Sequence, residues 1–208
     1  MNAKRLIIHP KNPEPRKIAE AVDCLKKGGV IIYPTDTVYG MGCSIFNTKA
    51  IERICHLKQV KPAQLSFICY DLSHISDYVM HLSTPVFKIM KKVLPGPYTF
   101  ILKANSSVPK LLHTSKKTVG IRVPDHLIPR LMVKELDHPI ITTSIKENTT
   151  DDFMPYITDP DLIYEKYSKL VDMIIDGGHS GSTPSTVLDC TQDTIQVIRE
   201  GAGSADEL

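Results

Sequence analysis

The strongest constraint on this chain is the regular exchange of two apolar patterns along it. Short, nearly continuous apolar runs bounded by Pro, Gly or polar residues alternate with longer segments whose apolar residues recur every three or four positions. The runs GVIIYP, LSFICY, YTFILKA, TVGIRV, PIITTS, VDMIID, STVLDC and TIQVIRE read as strands. Residues 14–28 place Ile18, Ala21, Val22 and Leu25 on one helical stripe and end on Gly28 and Gly29. Further helices are predicted at 48–58 with Thr48 as N-cap, at 83–94, at HLIPRLMVKEL and at DPDLIYEKY. Alternation of this kind predicts an α/β fold, a sheet covered by helices. No Pro/Gly/Ser-rich linker or fixed-period repeat divides the chain, so one domain over residues 1–208 is expected. Strand order is not readable from the runs.

Composition removes other classes. With 42% apolar and 23% charged residues, long disorder, a collagen-like repeat and a coiled coil are excluded. No apolar run approaches the roughly 18 to 20 residues needed to cross a bilayer, and the N-terminal run is too short for a secretory signal. The five cysteines contain no CxxC pair, which disfavours a disulfide framework or a thiolate metal site. A cytoplasmic protein with no membrane partner is expected.

The net charge of +2 hides a segregation. Residues 78–124 contain eight bases (Lys88, Lys91, Lys92, Lys103, Lys110, Lys116, Lys117, Arg122) and no acid, whereas residues 125–208 are strongly acidic. The basic stretch suits a surface that attracts phosphates or nucleic acid, unless folding interleaves it with the acidic part and cancels the field.

Common site signatures are missing: GxGxxG after a strand, GxxxxGK[ST], HExxH and GxSxG do not occur. No histidine stands at a metal-ligand spacing, so no metal ligands are assigned. Three clusters remain. YPTDTVYGMG follows a strand and sets Thr35 and Thr37 beside two glycines, which suits close approach of backbone to a ligand or a plain tight turn. Lys58 and Lys61 lie three apart near a helix end, where they clamp polyphosphate or complement the helix dipole. Thr142, Thr143 and Ser144 end another strand with hydroxyls.

These clusters match a known pattern. The chain resembles the YrdC/YciO family along nearly its whole length, through GGVIIYPTDTVYGMGC, LPGPYTFIL, TVGIRVP, PSTVLD and VIREG in order. The resemblance implies an open, twisted mixed α/β sheet with flanking helices around a concave, positively charged cavity. It implies a nucleotidyltransferase resembling L-threonylcarbamoyladenylate synthases, which use ATP, L-threonine and bicarbonate in making threonylcarbamoyladenosine in tRNA. Mg2+ would accompany the ATP. Residue by residue, the resemblance assigns Lys58 and Arg122 to catalysis. It assigns Lys58, Lys61, Gln64, Thr118, Ser144 and Arg199 to ATP, and Thr37, Arg122, Thr142 and Ser185 to substrate. Departures stand beside these matches. The arginine of the family's KxR element falls on Val60, and the asparagine of its SxN element on Lys146. The family asparagine before the second strand falls on Gln64 and the histidine ending that strand on Cys69, a combination that resembles the YciO branch. The alternatives are a double-stranded RNA-, tRNA- or nucleotide-binding protein of the same fold without synthase activity, or hydrolysis of the adenylate.

Overall fold

Every predicted strand run pairs with others in one ten-stranded mixed sheet. The computed structural model describes residues 2–112, 117–146, 156–192 and 194–208. Its strands are β1 (Lys4–Ile7), β2 (Ile31–Tyr33), β3 (Gly40–Ser44), β4 (Ser66–Ile68), β5 (Tyr98–Lys103), β6 (Thr118–Arg122), β7 (Ile140–Ser144), β8 (Met173–Asp176), β9 (Thr186–Asp189) and β10 (Gln196–Arg199). They lie in the order β1-β8-β2-β3-β7-β4-β6-β5-β9-β10. The helices are α1 (Pro15–Lys26), α2 (Thr48–Lys58), α3 (Leu72–Ile75), α4 (Thr84–Val93), α5 (Leu127–Leu136) and α6 (Pro160–Tyr167). Parallel pairs (β1 and β2 with β8, β4 with β6, β5 with β9) mix with antiparallel ones, as the expected open mixed sheet requires.

Two strands lay outside the sequence expectations. β1 carries only two apolar residues, Leu6 and Ile7, and it forms by parallel pairing with β8. β3 is GMGCS, a poor strand former by composition, yet it is clasped between β2 and β7 and buried throughout. Tertiary pairing overrides local propensity at both. The cap of α2 also differs. Asn47, not Thr48, is the N-cap, because its Oδ1 accepts from the Ala50 N–H at 2.9 Å and leaves Thr48 as the first helical residue.

Side chains alternate across the sheet, and its two faces differ in kind. One face carries Met41, Phe67, Ile121, Phe100, Leu188 and Ile141, which join Ile51 and Ile54 of α2, Val86 and Met90 of α4 and Ile163 of α6 in a continuous apolar core. The opposite face is divided. Ile31, Tyr33, Ile68, Ile140 and Ile175 lie under Ile18, Val22 and Leu25 of α1 and Ile128, Met132 and Val133 of α5. Elsewhere on this face, across β3 to β7, the positions are Gly40, Ser66, Thr99, Gly120, Thr142 and Ser144, and that half of the face borders a cavity instead of a helix.

Gly42 shows how tightly the middle of the sheet is packed. A Cβ there would stand 2.1 Å from the Ile141 carbonyl oxygen and 3.1 Å from the Tyr33 ring. Backbone inside a sheet cannot step aside cheaply, so Gly42→Ala is expected to cost at least about 1–3 kcal/mol of stability. Urea unfolding of both proteins measures it, and an unchanged midpoint would contradict this packing.

The thiols give a second check. Cys43, Cys69 and Cys190 are buried, while Cys24 and Cys55 are partly exposed. Burial pushes every one of the five up, Cys24 to about 11 and Cys43 and Cys190 to about 12. Thiolate, the reactive form, is therefore scarce at neutral pH. Iodoacetamide at pH 7 should leave Cys43, Cys69 and Cys190 unmodified until the protein is unfolded; rapid labelling of any of them in the native state would refute this.

Candidate functional site

The cavity has a volume of about 920 Å3. Its floor is the hydroxyl- and glycine-rich half-face just described. Its walls come from the end of α2 and the following turn (Leu57 to Leu65), from Lys146 and Tyr156, and from Ser185, Val187 and Arg199 near the β9–β10 edge. Four cationic side chains line it, Lys58, Arg122, Lys146 and Arg199, and no Asp or Glu does so among the described residues. The +8 of residues 78–124 is not the source of that charge. Of its bases only Arg122 reaches the cavity. Lys88, Lys91 and Lys92 lie on the solvent side of α4, opposite Val86, Met90 and Val93, and Lys103, Lys110 and Lys117 are exposed elsewhere. Lys116 lies outside the described residues.

The structure brings eight of the ten sequence-derived site residues to this cavity: Lys58, Gln64, Thr118, Arg122, Thr142, Ser144, Ser185 and Arg199. Two are elsewhere. α2 ends at Lys58, and Gln59 turns left-handed (φ 52°), so the chain reverses before Lys61. Lys61 is exposed outside the cavity, its backbone N–H donating to Gln64 Oε1 at 2.8 Å. Spacing three apart predicts a shared face only while the helix continues, and here it has stopped. Thr37 is fully buried behind Arg122. Arg122 Nη2 donates to Thr37 Oγ1 at 3.0 Å, and Thr35 Oγ1 lies 3.1 Å from the same hydroxyl. Thr35 in turn donates to the Val38 carbonyl at 2.6 Å. Thr37 thus orients Arg122 and leaves no hydroxyl facing the cavity.

Arg122 is itself almost fully enclosed, and its Nη2 also donates to Asp36 Oδ1 at 2.9 Å. Asp36, equally buried, accepts a second hydrogen bond from the Asp125 N–H at 3.1 Å. Burial pulls the Arg122 guanidinium below its ordinary value, with Asp36 opposing, and pushes the Asp36 carboxyl up, with Arg122 opposing. Arg122 Nε is buried and has no hydrogen-bond partner. A guanidinium held by Asp36 and Thr37 that still borders the cavity is equipped to receive an oxyanion. Arg199, near enough to depress Arg122 further, donates from Nη2 to the Ser185 carbonyl at 2.7 Å. Ser185 Oγ and Thr99 Oγ1 share a hydrogen bond at 2.8 Å.

Asp36, Ser66, Thr99 and Tyr156 are site or supporting residues that sequence reasoning did not single out. Asp36 was visible inside YPTDT, but its partner is 86 positions away. Ser66 and Thr99 were visible only as polar interruptions of strands. Among the described residues no group of three or more His, Cys, Asp or Glu side chains is placed to hold a metal ion. A cavity lined by lysine, arginine and hydroxyls does not fit a protein-held Mg2+, which takes carboxylate oxygens.

Breaking the buried pair should be costly. Asp36→Asn would leave the enclosed Arg122 charge uncompensated, with an expected loss of about 3–5 kcal/mol. Denaturant unfolding measures it, and Asp36→Glu should retain part of the stability. A wild-type midpoint for Asp36→Asn would show that the pair is dispensable.

The Sua5/YciO/YrdC family model, described as "Telomere recombination", matches residues 23–201. The Escherichia coli (strain K12) protein YciO, itself uncharacterized, is 42% identical over 198 residues, 94% of each chain. Its crystal structure superimposes with a TM-score of 0.92 over 99% of this chain and 98% of that one. A putative threonylcarbamoyl-AMP synthase of Methanocaldococcus jannaschii is 35% identical over 205 residues, 95% of this chain and 93% of that one. A crystal structure of P. abyssi Sua5 complexed with L-threonine matches with a TM-score of 0.86 at 25% identity, covering 98% of this chain and 59% of that one.

Proposed function

This chain belongs to the Sua5/YciO/YrdC family, and we propose from that membership that its cavity binds ATP together with an amino acid, L-threonine, and forms a carbamoyl-adenylate. The observation that carries the reading is the composition of the cavity wall: four cations, no lining carboxylate among the described residues, and a floor of hydroxyls. Such a wall suits a reaction in which two anions must meet. Bicarbonate and the threonine amine give a carbamate. The carbamate oxygen then attacks the α-phosphorus of ATP, a P–O bond forms, and the bond to pyrophosphate breaks. No acid–base pair is needed at the phosphorus, only compensation of charge and alignment.

In this reading Arg122, held by Asp36 and Thr37, receives a carboxylate or carbamate where its side chain borders the cavity. Thr142 and Ser185 hydrogen-bond the amino acid, and Lys58 offsets phosphate charge. Gln64, Thr118, Ser144 and Arg199 line the nucleotide's part of the cavity. Mg2+ would enter and leave as part of the nucleotide complex. The P. abyssi relative's complex with L-threonine supports the amino-acid half of the reading.

A second reading has its own observation. Val60, which lines the cavity, is an aliphatic side chain where the family's KxR element has arginine, and removal of a forked donor favours nucleotide binding without adenylate synthesis. The exposed lysines of α4 also offer a separate basic surface to tRNA or double-stranded RNA.

Incubation with ATP, bicarbonate and L-threonine, followed by mass spectrometry, should detect threonylcarbamoyl-adenylate and pyrophosphate. Their absence, with ATP binding intact, would leave the binding-only reading. Calorimetric titration tests the site itself. Lys58→Ala should weaken ATP binding roughly ten- to hundredfold, the range of a charge-assisted contact of about 1.5–3 kcal/mol. Lys61→Ala, outside the cavity, should not. A folded Lys58→Ala protein that binds ATP like the wild type would overturn the assignment.

A further inference from the structure

The four cations of the cavity are not equivalent. Arg122 is answered by Asp36 and Thr37, and Arg199 is tied to the Ser185 carbonyl. Lys58 and Lys146 form no ion pair among the described residues, yet they line the same cavity from different elements, one from the last turn of α2 and the other just past β7. They are near neighbours. Lys58, half-buried, is driven below its ordinary value first by burial and then by the charge of Lys146. Lys146 is also held in place. It pairs with Tyr156 in an isolated antiparallel bridge, its ammonium lies 5.3 Å from the centre of the Tyr156 ring, and Tyr167 Oη donates to its carbonyl at 3.3 Å.

Two ammonium groups kept together without a counter-ion oppose each other, and a polyanion relieves that opposition. Val60, which lines the same cavity, supplies no charge. We infer that Lys146 and Lys58 form a two-lysine clamp for a polyphosphate chain, in which Lys146 restores from the β7 side the positive charge that Val60 does not supply from the α2 side. The inference rests on the nucleotide reading of the cavity and adds its polarity: polyphosphate at the Lys58–Lys146 end, the single carboxylate at the Arg122 end.

The test is calorimetric titration of inorganic tripolyphosphate and of ATP, in EDTA so that the lysines are the counter-ions. It uses the wild type, Lys146→Asn, Lys146→Arg and the double variant Lys146→Asn/Val60→Arg, each checked for folding by circular dichroism. Lys146→Asn should lose roughly ten- to hundredfold in affinity for both ligands. Lys146→Arg should keep most of it, and the double variant should regain it because arginine at 60 returns a cation to the same stretch of wall. Undiminished binding by Lys146→Asn overturns the clamp and leaves the nucleotide reading standing. Loss in Lys146→Asn without recovery in a folded double variant overturns the exchange of charge between positions 60 and 146. Binding of tripolyphosphate but not ATP supports the clamp and removes the nucleotide. Binding of either ligand with Mg2+ but not in EDTA, or no binding at all, overturns the clamp.

Discussion

A sheet must cover both faces or fill what it leaves open, and here half of one face is left open. Six positions on adjacent strands, from Gly40 in β3 to Thr99 in β5, carry no side chain larger than threonine, where the apolar half of the same face carries isoleucine and tyrosine. No helix packs well onto glycine and hydroxyls, because there is little apolar area to remove from water. The helices α1 and α5 therefore stop at the apolar half, and the polar half borders the cavity. The site is in this sense a consequence of composition along the strands, not an addition to a finished fold.

Charge then enters that space in two ways. Arg122 comes with its compensation built in: Asp36 and Asp125 fix it from the β2–β3 and β6–α5 connections, and Thr35 and Thr37 close the network beneath. Such a network resists rearrangement, since removing either Asp36 or Arg122 strands the other's buried charge. Lys58 and Lys146 form no ion pair among the described residues, and their mutual repulsion opposes holding both at one cavity. The first arrangement suits recognition by a fixed fork, the second neutralisation of a larger, more variable charge.

The sequence made most of the sheet legible because continuous apolar runs need only local reading. It failed at β3, whose glycines hide a buried strand, and at β1, which has too few apolar residues to announce itself. Site residues followed the same division. Those on strands, such as Thr142, Ser144 and Arg122, reach the cavity because a strand fixes the direction of its side chains. Lys61 and Thr37 stand outside the cavity lining because their placement depends on one left-handed residue, Gln59, and on a buried hydrogen bond to a strand 85 positions away. Asp36 lay in plain view, but nothing local distinguishes a turn aspartate from one that neutralises a buried arginine.

The two kinds of charge also bear on what the chain shares with its relatives. An arginine is a planar fork that fixes the position of the phosphate it holds, whereas a lysine attracts the same phosphate from a point charge on a flexible stem. In the proposed clamp, a cation at position 146 in place of one at position 60 would leave attraction for a polyphosphate largely in place while loosening its alignment. Binding depends chiefly on the first property and in-line attack at phosphorus on the second. If the proposed clamp holds, a cavity that keeps Arg122, Asp36 and Thr37 fixed while exchanging a fork for a point charge at the other end would separate affinity from turnover, and the chemistry of this chain would diverge from that of its synthase relatives at the polyphosphate end.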